Sequence, residues 1–273
     1  MPLRLATILA HPDDETFGVG GTLIRYADEG IECHSLCLTR GEAGQLGDPA
    51  VTTRDRLGDL REAELAEAAR RMGLSSVTCL RFPDGSLADV PAEVVVREVA
   101  GWLRRVGPHV AIVWGPDGGY GHPDHVVAGD RALAAIELAA GERDPELGDP
   151  AGVSRCYRMV ASADLVDAIG ERFSDFSAYM ATLSVKPERW TRERLGAVID
   201  VRAYADRKWE AMQAHRSQGQ DIARLATIRA DPDAQAFFGE ETFIRAFPEP
   251  GGPPLEHDLF GALRGMGKGR RAG

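Results

Sequence analysis

Between Leu3 and Ala10 the chain alternates and then runs apolar, as a buried strand does, and Thr22–Glu29 carries the spacing of a short amphipathic helix closed by Gly30. Ile31–Thr39 reads as a second strand, and Leu60–Met72 as a strong helix with Gly73 as its C-cap. Val77–Phe82 is strand-like, Ala92–Val106 is helical after Pro91, His109–Trp114 is a short apolar strand, and Val126–Ala140 is the helix that follows. Strands alternating with helices of this length pair in parallel through right-handed crossovers. The expected fold is therefore α/β, a Rossmann-like and mostly parallel sheet with helices on both faces.

Beyond the charged stretch AGERDPELGDPAG (Ala140–Gly152) the pattern loosens. It yields a strand-like CYRMVAS, an extended VIDV at Val198–Val201, a helix through ADRKWEAMQAHRSQ and a last extended run, ETFIRAF. Residues 1–150 are expected to form the Rossmann-like core that carries the site, 151–250 a C-terminal portion of the same domain that completes the fold and walls the site, and 251–273 a flexible tail. No internal repeat is visible.

Composition narrows the class. A hydrophobic share of 44% over 273 residues is ample for a packed core, and a formal net charge of -10 argues against nucleic acid or an anionic membrane as the partner. The one basic cluster, Lys268, Arg270 and Arg271, lies among glycines in the expected tail. Cys33, Cys37, Cys79 and Cys156 lack C-x-x-C spacing and are expected to be reduced core residues. With no signal-peptide pattern and no apolar run near the roughly 20 residues of a membrane span, a cytoplasmic protein is expected. The expected partner is a small molecule, and a homo-oligomer stays open.

Two loops that follow strands are crowded with ligand-type residues: HPDDE (His11–Glu15) after the first strand and GYGHPDH (Gly119–His125) after the strand ending at Trp114. Ligands in such sheets sit beyond the carboxyl ends of the strands, so His11, Asp13, Asp14, His122, Asp124 and His125 converge if those strands are neighbours. Two imidazoles and one carboxylate suit Zn²⁺ with a fourth position open to water. His11 and Asp14 are the natural pair from the first loop, and His125 can supply the third ligand. Asp13 is then free to take a proton from water whose pKa the ion lowers. Taken singly, each loop has a plainer explanation, since Asp124 could cap a helix and the Asp-Asp-Glu run could offset a helix dipole. Gly18, Gly20 and Gly21 fail the dinucleotide pattern G-x-G-x-x-G because Leu23 occupies the third glycine position.

Read in order, AHPDDE, TRGEAG, LREAELAEAARRMGL, PDG at Pro83–Gly85, GYGHPDH and AMQAHRSQ resemble the LmbE-like, or PIG-L, family of zinc-dependent N-acetylglucosaminyl deacetylases, over residues 3–247. The paired AHPDDE and HPDH are the specific part. The resemblance implies that His11, Asp14 and His125 hold one zinc per chain and that Asp13 is the general base. It makes His122 the general acid or the oxyanion's partner, with Asp124 orienting an imidazole and Tyr120 assisting at the carbonyl. It also assigns Arg61 to sugar hydroxyls or a phosphate, Asp84 to a hydroxyl, Glu42 to the mouth of the pocket and His215 to its border. The implied reaction is hydrolysis of an acetamide on an amino sugar or its conjugate. A thiol S-conjugate amidase of the same family, a non-catalytic sugar- or metal-binding protein and a two-metal phosphoesterase are the alternatives.

Overall fold

The computed structural model describes residues 2–172, 178, 182, 185–230, 236–248 and 255–264. Seven strands form one sheet: β1 (Arg4–Leu9), β2 (Glu32–Thr39), β3 (Ser76–Phe82), β4 (Val110–Trp114), β5 (Arg155–Met159), β6 (Ala197–Asp200) and β7 (Glu240–Phe247), in the order β3-β2-β1-β4-β5-β7-β6. Strands β1 to β5 pair in parallel, and β7 runs antiparallel to both its neighbours. The α/β expectation is thereby met. The strands contributed after residue 150 extend the same sheet.

β1 lies inside the sheet between β2 and β4, and Leu5, Ala6, Ile8 and Leu9 are buried as a strand covered on both faces requires. Helices α1 (Asp14–Asp28) and α2 (Leu57–Met72) pack with α7 (Ala205–Met212), whereas α3 (Ala92–Val106) packs against α5 (Pro123–Ala140). The remaining described helices are α4 (Gly118–Gly121), α6 (Ala163–Arg172), α8 (Gly219–Arg229) and α9 (Ala236–Gly239). All four cysteines are free. Among the described residues no helix is long and apolar enough to cross a membrane.

Three elements differ from the pattern read off the chain. The first helix begins at Asp14 rather than Thr22, because the glycines that looked like helix breakers are contact points. A Cβ on Gly18 would stand 2.8 Å from the Met159 sulfur, and one on Gly21 would stand 2.5 Å from Val201 Cβ. Gly21→Ala is therefore expected to push α1 off Val201 and cost about 1–3 kcal/mol, read as a lower urea midpoint; an unchanged midpoint would show that the helix can slide.

The helix expected through ADRKWEAMQAHRSQ stops at Met212. Tertiary bonds outbid its continuation: His215 Nε2 lies 2.8 Å from Glu15 Oε1, and the Glu64 carboxylate accepts from the Ser217 backbone N–H (3.0 Å) and hydroxyl (2.6 Å). Nor are residues 255–264 a loose tail. Leu259 and Phe260 are fully buried, the Tyr26 hydroxyl accepts from the Leu259 N–H at 2.7 Å, and Phe260 packs edge-on to Tyr26. The expectation of a flexible tail is corrected for that stretch, since two large apolar side chains are removed from water there. Lys268, Arg270 and Arg271 lie outside the described residues.

Candidate metal centre

β1 and β4 are adjacent in the sheet, with Thr7 opposite Ile112 and Ile8 opposite Val113, so the loops that leave their carboxyl ends emerge side by side. β1 connects towards β2 and β4 towards β5, on opposite sides, which makes this the point where the winding of the sheet reverses and a crevice opens. The chain enters α1 through Asp13, whose φ of 123° makes it the one non-glycine residue with positive φ among those described. That sharp reversal sends the side chains of Asp13 and Asp14 in different directions.

Asp14 turns back beneath the loop. Its Oδ2 accepts from the backbone N–H of Ala10 (3.0 Å) and His11 (2.9 Å) and from the Trp114 indole (3.1 Å), while Oδ1 lies 3.3 Å from His125 Nε2. Burial would raise its pKa, but His125, His11 and these donors outweigh burial and hold the carboxylate ionised. His125 donates from Nδ1 to the Gly118 carbonyl at 3.1 Å, which leaves Nε2 with a lone pair. His11 turns Nε2 outward to Asp84 Oδ1 (3.1 Å) and Asp124 Oδ2 (3.4 Å), and its Nδ1 faces His125 Nε2 at 3.0 Å.

Two imidazole nitrogens and a carboxylate oxygen thus confront one another, each fixed from behind. A tetrahedral ion with ligands at about 2.1 Å keeps neighbouring donors roughly 3.4 Å apart, close to the observed 3.0 and 3.3 Å. The residues fit a divalent metal. The surroundings also demand positive charge at this point: burial pulls the His11 pKa down, but Asp124, Asp84 and Asp14 outweigh it and raise it to about 10. In the metal-free protein that charge is a proton on His11. Metal binding below about pH 10 is therefore expected to release a proton and to weaken as pH falls; calorimetry in buffers of different ionisation enthalpy measures it, and binding without proton release would remove His11 from the ligand set.

The capping explanations do not describe these acids. The Asp13 side chain makes no capping bond to α1. At α5 the cap is His122, whose Nδ1 accepts from the Asp124 N–H at 3.2 Å, while the Asp124 carboxylate accepts from Gly85 N–H (2.7 Å) and Leu87 N–H (3.2 Å).

With this geometry in view, comparisons with known proteins are decisive. Residues 6–136 match the family model described as PIG-L, GlcNAc-PI de-N-acetylase. A 1D-myo-inositol 2-acetamido-2-deoxy-alpha-D-glucopyranoside deacetylase of Rhodococcus opacus (strain B4) is 34% identical over 275 residues, covering 88% of this chain and 90% of that protein. The chain belongs to the PIG-L family. A solved structure, the conserved protein TT1542 from Thermus thermophilus, shares 31% identity with a TM-score of 0.64 over 91% of this chain and 96% of that one. The N,N'-diacetylchitobiose deacetylase from Pyrococcus horikoshii, 20% identical with a TM-score of 0.67 over 90% of this chain and 86% of that one, shares the fold.

In this PIG-L protein a cavity of about 460 Å³ opens over the donors. His11, Asp13, Asp14, Arg61, Tyr120 and His122 lie on its wall. Asp13 carries its carboxylate to Arg61, 2.7 Å away, and burial raises its pKa to about 7 against the opposing pull of Arg61. His122 sits with its ring centre 4.8 Å from that of His11 and 4.6 Å from that of His125; burial first, then these two rings, lower its pKa to about 4. Tyr120 stands edge-on to both His122 and His125.

The outer residues are arranged differently from expectation. Arg61, only 3% exposed, is clamped by Asp13, the Pro12 carbonyl and the Gly41 carbonyl (2.9 Å), and Gly41 and Gly44 have no side chain because the guanidinium fills that space. Asp84 does line the cavity, but it accepts from Ala43 N–H (2.8 Å) and backs His11. Glu42 is not on the wall; its Oε1 accepts from the Asp84 N–H at 3.0 Å, while Ala43, Gly44 and Gln45 form the rim. His215 is fully buried against Glu15 and does not line the cavity, and its Nδ1 has no hydrogen-bond partner among the described residues. His122, His11 and His125 also cluster closely enough to form an alternative donor set, as do His11, Asp84 and Asp124.

Three contributors were not singled out from the chain. Glu15 accepts from the Asp13 backbone N–H (2.9 Å) and so holds the reversed φ from behind; Trp114 bonds Asp14 and stacks on His125; Glu64 anchors the turn at Ser217. Glu15 was visible as the third acid of HPDDE, but nothing local tells a backbone clamp from a surface charge.

Proposed function

We propose that this chain is a zinc-dependent hydrolase that removes the N-acetyl group from an N-acetylglucosamine-type amino sugar or its conjugate. The observation that carries the reading is the confrontation of His11 Nδ1, His125 Nε2 and Asp14, with His11, Asp14 and the Asp13 carboxylate on the wall of a polar cavity. The Rhodococcus opacus relative, named for an N-acetylglucosamine joined to inositol, supports the choice of substrate class. A zinc ion held by His11, Asp14 and His125 would supply Lewis acidity towards the amide carbonyl and a lowered pKa for the attacking water.

Asp13 accepts the proton of that water. Arg61 keeps the Asp13 carboxylate aimed and favours its ionised form, and Glu15 holds its backbone. Because His122 Nδ1 accepts from the Asp124 N–H, its proton resides on Nε2, where it can donate a hydrogen bond to the developing oxyanion, and the proton that Asp13 has taken from water passes to the leaving amine. Tyr120, on the wall beside it, offers a second donor at the carbonyl. Asp124 and Asp84 orient His11 from its outer nitrogen. Removing such a partner typically weakens metal binding about 10–100-fold, so Asp124→Ala is expected to need about that much more zinc for half-maximal loading; unchanged loading would deny it the orienting role.

The test combines metal content by mass spectrometry with acetate release from N-acetylglucosamine and its inositol conjugate. Zinc with acetate release supports the proposal. Zinc-loaded protein that releases acetate from neither compound overturns it.

A further inference from the structure

The space beside the metal donors has a second chamber, apolar where the first is polar. It measures about 320 Å³ and is lined, among the described residues, chiefly by Phe17, Met159, Val160, Leu165, Leu225 and Ile228. Asp13, Asp14, Tyr120, Asp221 and Arg224 line both chambers, so the two meet beside the carboxylates where an amide would be attacked. The Lys208–Glu241 ion pair, closed at 2.7 Å and buried, also lies on the second wall, and Glu241 accepts in addition from the Gly21 and Thr22 N–H groups. That carboxylate is satisfied by the protein itself and does not call for a polar occupant.

An amide carbon has two carbon-bearing substituents, the amine side and the acyl side, and they diverge as the carbon becomes tetrahedral. With Arg61, Asp84, Gln218 and Asp221 on its wall, the first chamber suits the hydroxyls of a sugar. The second then receives the acyl side. A methyl group takes up about 30 Å³, as a water molecule does in the liquid, so an acetyl group would leave most of this chamber unfilled. Resting on the reading of this site as an amide hydrolase, we propose that the apolar chamber is an acyl subsite, and that the protein hydrolyses amino sugars N-acylated with straight aliphatic chains of about four to eight carbons more efficiently than the acetyl compound. The bond broken is still the amide C–N bond, with water supplying hydroxyl to the carboxylic acid and a proton to the amine.

The experiment uses the zinc-loaded full chain with N-acetyl-, N-butyryl-, N-hexanoyl- and N-octanoylglucosamine, scored by release of glucosamine. In parallel, calorimetry measures binding of the product acids acetate, hexanoate and octanoate. Burial of each methylene is expected to raise kcat/KM about fourfold until the chamber is full, and octanoate should bind more tightly than acetate. Leu165→Trp, which fills the chamber from α6, should abolish both gains, read as an octanoyl-to-acetyl ratio of kcat/KM that falls to about one and an octanoate affinity no better than that of acetate. Leu225→Trp fills it from α8 should the first variant fail to fold. Acetate released normally with no gain from longer chains would overturn the acyl subsite and leave the deacetylase standing. No turnover of any compound, with chain-length-dependent acid binding lost in the filled variant, would keep the subsite and overturn the deacetylase. Neither turnover nor chain-length dependence would overturn both.

Discussion

Asp13→Asn is expected to keep its metal and lose its chemistry: about one ion per chain, a KM within a few-fold of wild type, and a kcat lower by about 10²–10⁴. The separation follows from the reversal at φ 123°, which directs the Asp14 carboxylate to the donors and the Asp13 carboxylate to Arg61. Asparagine keeps the shape and tolerates unusual φ, so the backbone clamp from Glu15 and the Pro12 and Gly41 contacts of Arg61 survive. What disappears is the group that accepts a proton. Asp13→Ala should match it in rate and melt somewhat lower, because an alanine adopts that backbone less readily. Near-full turnover in both variants would take the general-base role away from Asp13.

His125→Ala is expected to lose the metal, and activity with it. Its Nε2 is the donor closest to both His11 Nδ1 and Asp14 Oδ1, and its orientation is fixed by the Gly118 carbonyl and by stacking on Trp114 at 3.9 Å. Metal analysis after dialysis, alongside acetate release, reads the effect, and two companions identify the third ligand. Asp14→Asn should also empty the site, whereas His122→Ala should retain metal and lose kcat. Retention in Asp14→Asn with loss in His122→Ala would assign the ion to the three-histidine set instead.

Much of the fold was legible because its signals are local. Apolar runs such as Ile8–Ala10 and Val110–Trp114 are what central parallel strands need, and Gly73 takes the left-handed conformation that ends α2. Pattern failed where distant groups decided the conformation. The helix at Ala205 stops because His215 and Ser217 are bound by Glu15 and Glu64, partners far away in sequence, and α1 tolerates three glycines because Met159, Lys208 and Val201 press against them.

The same division holds at the site. Residue type and spacing within each loop already offered nitrogen and oxygen donors, although each loop taken singly could still be read as a helix cap or a dipole offset. By itself, then, the sequence determined the α/β class, the PIG-L likeness and the chemical inventory of the two loops, since these depend on periodicity and on neighbours within a few residues. Only the tertiary structure decided which nitrogen of each imidazole faces inward, that Arg61 serves Asp13, that Glu42 and His215 stand behind the wall, and that an apolar chamber adjoins the polar one. Those outcomes depend on hydrogen bonds and close contacts between segments up to 200 residues apart, and no local pattern encodes them.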